Sequence, residues 1–336
     1  MKKIIVLGGG GFIGGHLSKR LKDSGHYVII CDIKNHEYWN HKDICNEFIK
    51  GDLRDPKVVS EVIREGIDEV YQLAADMGGA GYIFTGDNDA NVMHNSALIN
   101  LNVVHECTKK KVGKVFYSSS ACIYPEHNQL DPNNPNCKEI SAYPANPDSE
   151  YGWEKLFGPM GIGDGGKEKA PAAMCRKASQ SDGKMEVWGD GLQTRSFLYI
   201  DDCVESILRF MSQSKFVGPV NIGSEEKITI NQLGQMAIDI SQKDIKIYNI
   251  DGDDFIDKYG FSCPVGVRGR NSDNKLYKEK MGWVVSQPLI NGMKKTYKWI
   301  DEQVKSKTYI YESPDKGNTI YRRELGKQPS TREKIK

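Results

Sequence analysis

The opening residues predict an α/β chain built on a doubly wound parallel sheet, and three observations predict it. Short apolar runs recur, each closed by turn residues. Stretches of helical period separate them. The runs are apolar throughout, as strands covered on both faces are. In order, Lys3 to Leu7 is a strand, Gly8 to Gly15 a glycine-rich turn and His16 to Ser24 a helix. Tyr27 to Cys31 is a strand ending at Asp32, Glu47 to Lys50 ends at Gly51-Asp52, and Glu69 to Ala74 is another apolar run. Asn91 to Lys111 reads as a long helix, and Lys114 to Tyr117 as a strand running into Ser118-Ser119-Ser120.

Beyond residue 160 the pattern loosens. Met185 to Trp188, Phe197 to Ile200 and Val220 to Ile222 are strand candidates; Asp201 to Met211, Asn231 to Ser241 and Pro288 to Glu302 are helix candidates. This divides the chain into 1–158, with 192–205 and 219–224 returning to it, and a smaller α/β domain of 159–191 and 225–310. Residues 311–336 read as a loose polar tail.

Composition narrows the function classes. The 336 residues are 38 % apolar and 27 % charged, and 46 Lys and Arg against 45 Asp and Glu leave a formal +1. Such a balance gives no global field for nucleic acid or an anionic membrane. No apolar stretch approaches the roughly 18 residues of a spanning helix. The N-terminal apolar run is too short for a signal peptide, and glycines follow where a cleavage site would lie. The 8 cysteines are scattered, with no Cys-x-x-Cys and no histidines at ligand spacing. That argues against a metal and against a disulfide framework, and for a reducing, cytoplasmic setting.

Gly8, Gly11 and Gly14 fall at GxxGxxG spacing between a strand and a helix, with Phe12 and Ile13 inside the turn. A tight turn, close approach of backbone to a pyrophosphate and phosphates on a helix N-terminus call for this pattern. Alone it is equally a structural turn. Its context points to a Rossmann-type sheet that binds NAD. Asp32 ends the second strand, where a carboxylate accepts from an adenosine ribose hydroxyl and favours NAD over NADP. Asp52 ends the third, placed for the adenine, and Ala74 ends the fourth with a small side chain.

Tyr151 and Lys155 stand four apart and share a helix face. A phenol with a reference pKa near 10 is a poor base at pH 7. A neighbouring ammonium and a positive nicotinamide favour its phenolate, which then takes a hydroxyl proton as hydride leaves the same carbon. Ser120 supplies a further hydroxyl to orient the substrate. An isolated pair at this spacing is otherwise a solvated helix face.

Five longer strings carry a resemblance. They are Ala-Ala-Asp-Met-Gly-Gly at 74–79, Ser-Ser-Ala-Cys-Ile-Tyr-Pro at 119–125 and Gly-Gly-Lys-Glu-Lys-Ala-Pro-Ala-Ala at 165–173. The others are Trp-Gly-Asp-Gly-Leu-Gln-Thr-Arg-Ser-Phe at 188–197 and Gly-Val-Arg-Gly-Arg-Asn-Ser-Asp-Asn at 266–274. Over about residues 1 to 305 the chain resembles the extended short-chain dehydrogenases/reductases acting on nucleotide sugars, the NAD-dependent epimerase/dehydratase family. Most members carry Thr where Cys122 stands. A cysteine there, with the lysine-rich run, resembles the branch that epimerises GDP-mannose at C3 and C5.

The resemblance implies transient oxidation at C4 with Tyr151 as base, then proton exchange at C3 and C5 by Cys122 and Lys169 on opposite ring faces, and return of hydride. It implies NAD as cofactor, GDP-L-galactose as product and a homodimer. It also implies substrate contacts from Gly78, Ser120, Ala121, Cys122, Glu168, Lys169 and Ala170, with Lys177, Gln193, Arg195 and Arg270 on the diphosphate and nucleotide. Two other readings stay open: a nucleotide-sugar 4-epimerase or 4,6-dehydratase, and a catalytically silent NAD-bound scaffold.

One departure bears on that choice. After Lys155 the chain reads Leu156-Phe157-Gly158-Pro159, which a helix hardly continues through. The family has more helix here, then a parallel strand with a substrate-binding Asn. A unit of this kind takes roughly 30 residues, and the chain goes directly to a glycine-rich run. Either the natural protein carries a further segment here, which the intact flanking motifs favour, or the deletion is real and the sheet is one strand short.

Overall fold

Five parallel strands form the central sheet in the order β3-β2-β1-β4-β5. They are β1 (Lys3–Leu7), β2 (Tyr27–Asp32), β3 (Glu47–Lys50), β4 (Glu69–Gln72) and β5 (Lys114–Tyr117). The computed structural model describes residues 1–78, 80–84, 86–157, 170–213, 215–264, 266–305, 309–312, 321–324 and 333–334. The intervening helices are α1 (Phe12–Asp23), the single turn α2 (His41–Ile44), α3 (Pro56–Val62), the short α4 (Ala80–Ile83) and the long α5 (Asp89–Lys109).

The central strand shows why an unbroken apolar run is needed. Side chains alternate across a strand. Ile4 and Val6 enter one core, with Leu17 and Leu21 of α1. Ile5 and Leu7 enter the other, with Val59 and Val62 of α3 and Ile99 and Val103 of α5. All four β1 side chains are fully buried, each contributing about 1.5–3 kcal/mol relative to exposure.

Past the sheet come α6 (Glu150–Phe157), α7 (Ala170–Gln180), β6 (Lys184–Trp188), β7 (Thr194–Ser196) and α8 (Ile200–Ser212). Then follow β8 (Lys227–Thr229), α9 (Ile230–Ser241), β9 (Lys246–Ile250), α10 (Gly252–Tyr259), β10 (Gly269–Arg270), α11 (Lys275–Met281) and α12 (Leu289–Lys305). A second core joins Met174 and Cys175 of α7, Met185 and Val187 of β6, Leu233 and Ala237 of α9, and Met293 and Tyr297 of α12. Meanwhile α8 returns to the first core through Cys203, Val204 and Ile207.

Three expectations are corrected. The run Phe197 to Ile200 is not a strand: β7 ends at Ser196 and Ile200 opens α8. Its apolarity marks a crossing between cores, since Phe197 packs on the second and Leu198 and Tyr199 on the first. Val220 to Ile222 forms no strand either. Asn221 is held there by other bonds, accepting from Tyr124 and donating to the Cys137 and Asp273 carbonyls. Thirdly, the tail residues described here pair as three antiparallel strands, β11 (Tyr309–Glu312), β12 (Tyr321–Glu324) and β13 (Glu333–Lys334). Their polar composition hides that pairing.

The outer side of β5 matters most for the site. Among the described residues no strand pairs with it, and its Val115 is 42 % exposed. A cleft of about 1660 Å³ opens beside it, lined by Val115, Phe116, Leu198, Phe210, Val217 and Ile222 among others. A sheet ending at β5 is what the shortfall after Phe157 predicts. Residues 158–169 lie outside the described residues, and with them Glu168 and Lys169.

Candidate active site

The glycine turn is built for close approach. Gly8 has a φ of +82°, and a Cβ on it would meet the Ala74 amide nitrogen at 2.8 Å. A Cβ on Gly14 would lie 2.3 Å from the Gly8 carbonyl oxygen. Turn, α1 and the end of β4 therefore fit together only with glycine at both places. Gly11 is the N-cap of α1 and brings no side-chain cap. The first-turn amides, flanked by Phe12 and Ile13, thus have the disposition that suits a phosphate. Asp32 accepts from the Gly10 and Lys34 amides at 2.9 and 3.0 Å. Burial pushes its carboxyl above the usual range, and those amides oppose the shift. Asp52 is held by Arg54, through Nε at 3.0 Å and Nη2 at 2.6 Å. The hydrogen bond to that guanidinium keeps its carboxyl below the usual range. These residues fit a dinucleotide.

The reactive side chains meet at the ends of β5 and α6. Ser120 caps a single 3-10 turn, Ala121–Ile123, accepting from the Cys122 amide at 3.2 Å. That turn carries Cys122 into a buried cluster with Tyr151, Met77, Ile83 and Val92. Gly152, next to Tyr151, lets α6 approach, because a Cβ there would meet the Cys122 carbonyl at 2.4 Å. Tyr151 is buried and hydrogen-bonded to the Ser120 side chain.

Lys155 stands beside Tyr151 with a partner of its own. Lys155 is fully buried, and its Nζ lies 5.7 Å from the Tyr151 ring centre and 5.4 Å from that of Tyr117. Its ammonium is paired with Glu154, 3.4 Å away. Burial, followed by the neighbouring Cys122 charge, pushes the Tyr151 phenol above its ordinary range; the Ser120 bond opposes this. In the protein alone Tyr151 is a phenol. Glu154 is anchored in turn by Asn100, whose Nδ2 donates to it and to the Tyr117 oxygen at 2.8 Å each. Gln72 at the end of β4 donates to the Asn100 carbonyl oxygen, also at 2.8 Å.

The expected phosphate ligands separate into two groups. Arg195 on β7 and Arg270 on β10 are register partners. Burial, then the Arg270 charge, lowers the Arg195 guanidinium to about 10. Arg270 donates from Nε to Gln129 at 2.5 Å, from Nη1 to the Cys122 sulfur at 3.0 Å and from Nη2 to Asp148 at 3.0 Å. Gln193 is buried two residues before Arg195, and among the described residues its Oε1 has no hydrogen-bond partner. Lys177, by contrast, places its Nζ on the Glu186 carbonyl at 2.7 Å, against β6. Ala170 is the first residue of α7, and Gly78 packs under Tyr82, whose Cβ a side chain at 78 would meet at 2.6 Å.

Sequence reasoning missed Asp148, Gln129, Glu154 and Asn100. Only Glu154 carried a local signal, a carboxylate beside the lysine.

A Rossmann-type sheet, a dinucleotide turn and a buried Tyr-Lys pair beside the half-buried Ser120 define an NAD-dependent enzyme of the extended reductase type. A profile of the NAD dependent epimerase/dehydratase family matches residues 4–160 and 154–223, two pieces that meet in α6. The chain belongs to this family, whose NAD dependence gives its cofactor.

More particularly, it is 43 % identical over 327 residues to GDP-mannose 3,5-epimerase of Arabidopsis thaliana, covering 90 % of this chain and 83 % of the relative. It is 42 % identical to GDP-mannose 3,5-epimerase 1 of Oryza sativa subsp. japonica, covering 91 % and 84 %. The first alignment takes in about 302 of these residues over 327 positions, so about 25 positions of the relative have no counterpart here. Among solved structures, UDP-glucose 4-epimerase of Thermotoga maritima with UDP-glucose shares the fold at a TM-score of 0.74 and 21 % identity, covering 90 % of this chain and 99 % of that one.

Proposed function

We propose that this chain is an isomerase that inverts C3 and C5 of GDP-mannose to give GDP-L-galactose, through transient oxidation at C4. The meeting of Tyr151 and Cys122 in one buried cluster carries the reading, on a chain 43 % identical to a protein named for that reaction. NAD held by the Gly8 turn and Asp32 would supply a reversible hydride acceptor for C4 and a positive charge that favours the Tyr151 phenolate.

Tyr151, steadied by Ser120, takes the C4 hydroxyl proton and later gives it back. A carbonyl at C4 acidifies the hydrogens on C3 and C5. Cys122 removes and returns protons on one ring face; Lys169 is assigned the other by its motif. Arg195 and Gln193, with Arg270 behind them, present donors for diphosphate. Gly78 offers its backbone to the sugar beside Ala121, and Glu168 and Ala170 are assigned to the substrate by their motif; Lys177, assigned to the diphosphate by its motif, lies against β6 instead.

Pairing into a homodimer and residence in the cytoplasm belong to this reading. Leu101 and Val104, exposed and one turn apart on α5, support pairing; eight unpaired cysteines suit a reducing compartment.

The open side of β5 favours a second reading, an NAD-bound protein without turnover. Incubation with GDP-mannose and no added NAD, followed by NMR and mass spectrometry, separates the cases. Epimers of unchanged mass support the proposal. Loss of water indicates a dehydratase, and NAD retention without any product indicates the silent scaffold.

A further inference from the structure

Cys122 does not sit in a neutral wall. Its sulfur accepts from Arg270 Nη1 at 3.0 Å, and the rest of that guanidinium is fixed. Gln129, fully buried, accepts from Nε; Asp148, with a side chain 7 % exposed, accepts from Nη2. A planar fork held along its other edges cannot swing away without leaving Asp148 and Gln129 unmatched. The charged and titratable groups facing the sulfur come from several elements. Arg270 is on β10, Arg195 on β7 and Tyr151 on α6, while Asp148, in the loop before α6, meets the Arg270 guanidinium from another edge. Two cations and one phenol thus face the sulfur. A guanidinium only donates, so its contact with sulfur strengthens when the sulfur is a thiolate.

We propose that Arg270 is a positioning residue for Cys122, holding its sulfur as a thiolate aimed into the site, with Asp148 and Gln129 fixing the guanidinium. This differs from a role on the substrate phosphates. It deepens the epimerase reading, because it says how Cys122 is kept ready to accept a proton. A thiolate takes the ring proton and becomes the thiol, and that thiol returns it.

The test reads the thiol itself, so it can fail while the epimerase reading stands. The NAD-bound protein is alkylated with iodoacetamide across a pH series. Modification of the Cys122 peptide is followed by mass spectrometry, which separates it from the other seven cysteines. In Arg270→Gln the alkylation rate at pH 7 falls at least about tenfold and the pH midpoint rises by a unit or more. Arg270→Lys, which keeps a cation, recovers part of the rate. Asp148→Asn loosens the fork but leaves its charge in place, so its midpoint rises by less than in Arg270→Gln. A packing role alone would leave Arg270→Lys no faster than Arg270→Gln. That outcome, or an unmoved profile in Arg270→Gln with NAD still bound, overturns the proposal.

Discussion

The two edges of the central sheet are finished differently. At one edge, β3 is short, half-buried and charged, with Glu47 paired to Arg64 at 2.5 Å and Lys50 exposed. Those are the features of a strand that faces water without recruiting another. At the other edge, β5 exposes Val115 and lines an apolar cleft with Phe116. That is the surface of an interior strand. The cofactor's half of the site, Gly8, Asp32 and Asp52, stands towards the finished edge. Ser120, Cys122 and Tyr151 stand towards the unfinished one. The two halves of the proposed site therefore lie towards different edges of the sheet.

The largest expected effect lies on the β5 side. Tyr151→Phe removes the proposed base and should lower kcat by about 10²- to 10⁴-fold while NAD affinity holds. Equal losses in both would break the separation. The pH profile sharpens the same point. Burial raises the Tyr151 phenol, so the basic form grows as pH rises. In the wild type kcat/KM should climb between about pH 7 and 9, by about tenfold per unit while the phenol is the ground state. A flat profile would place the base elsewhere.

On the β3 side, Gly14→Val drives a side chain into the Gly8 carbonyl. It should cost about 2–3 kcal/mol, roughly a hundredfold in Kd for NAD, read by calorimetric titration. Unchanged NAD binding would contradict the cradle. A smaller, opposite effect comes from the unfinished edge. Inserting after Phe157 the corresponding segment of the Arabidopsis thaliana relative should cover Val115 and raise Tm by several degrees, at roughly 2–4 °C per kcal/mol. A lowered Tm would mean that β5 is already covered. The smallest effect is Val115→Lys. At an uncovered edge it stays within about 0.5 kcal/mol in denaturant unfolding, whereas beneath a strand it costs several times that.

The same contrast explains what the sequence could disclose. The first sheet was legible because each strand is a continuous apolar run with its own turn. Tyr151 and Ser120 were marked by spacing and by their place after a strand, and Cys122 by the resemblance of its string; the fold brings the three together. Arg270 was marked for phosphate, but its partner Asp148 lies 122 residues away, and no local pattern joins them. The same holds for Asn100, 54 residues from Glu154. β7 and β8 are three residues each, too short and polar to show a period. Lys177 was placed by its motif, while the packing of α7 on β6 takes its ammonium to the Glu186 carbonyl.

The most direct test of the central claim is incubation of the protein with GDP-mannose in D₂O, read by NMR for position and by mass for count. Deuterium at both C3 and C5, with none at C4, is the result expected from proton exchange beside a transient C4 carbonyl. Sugar recovered without deuterium, from protein shown to be folded and carrying NAD, would contradict it.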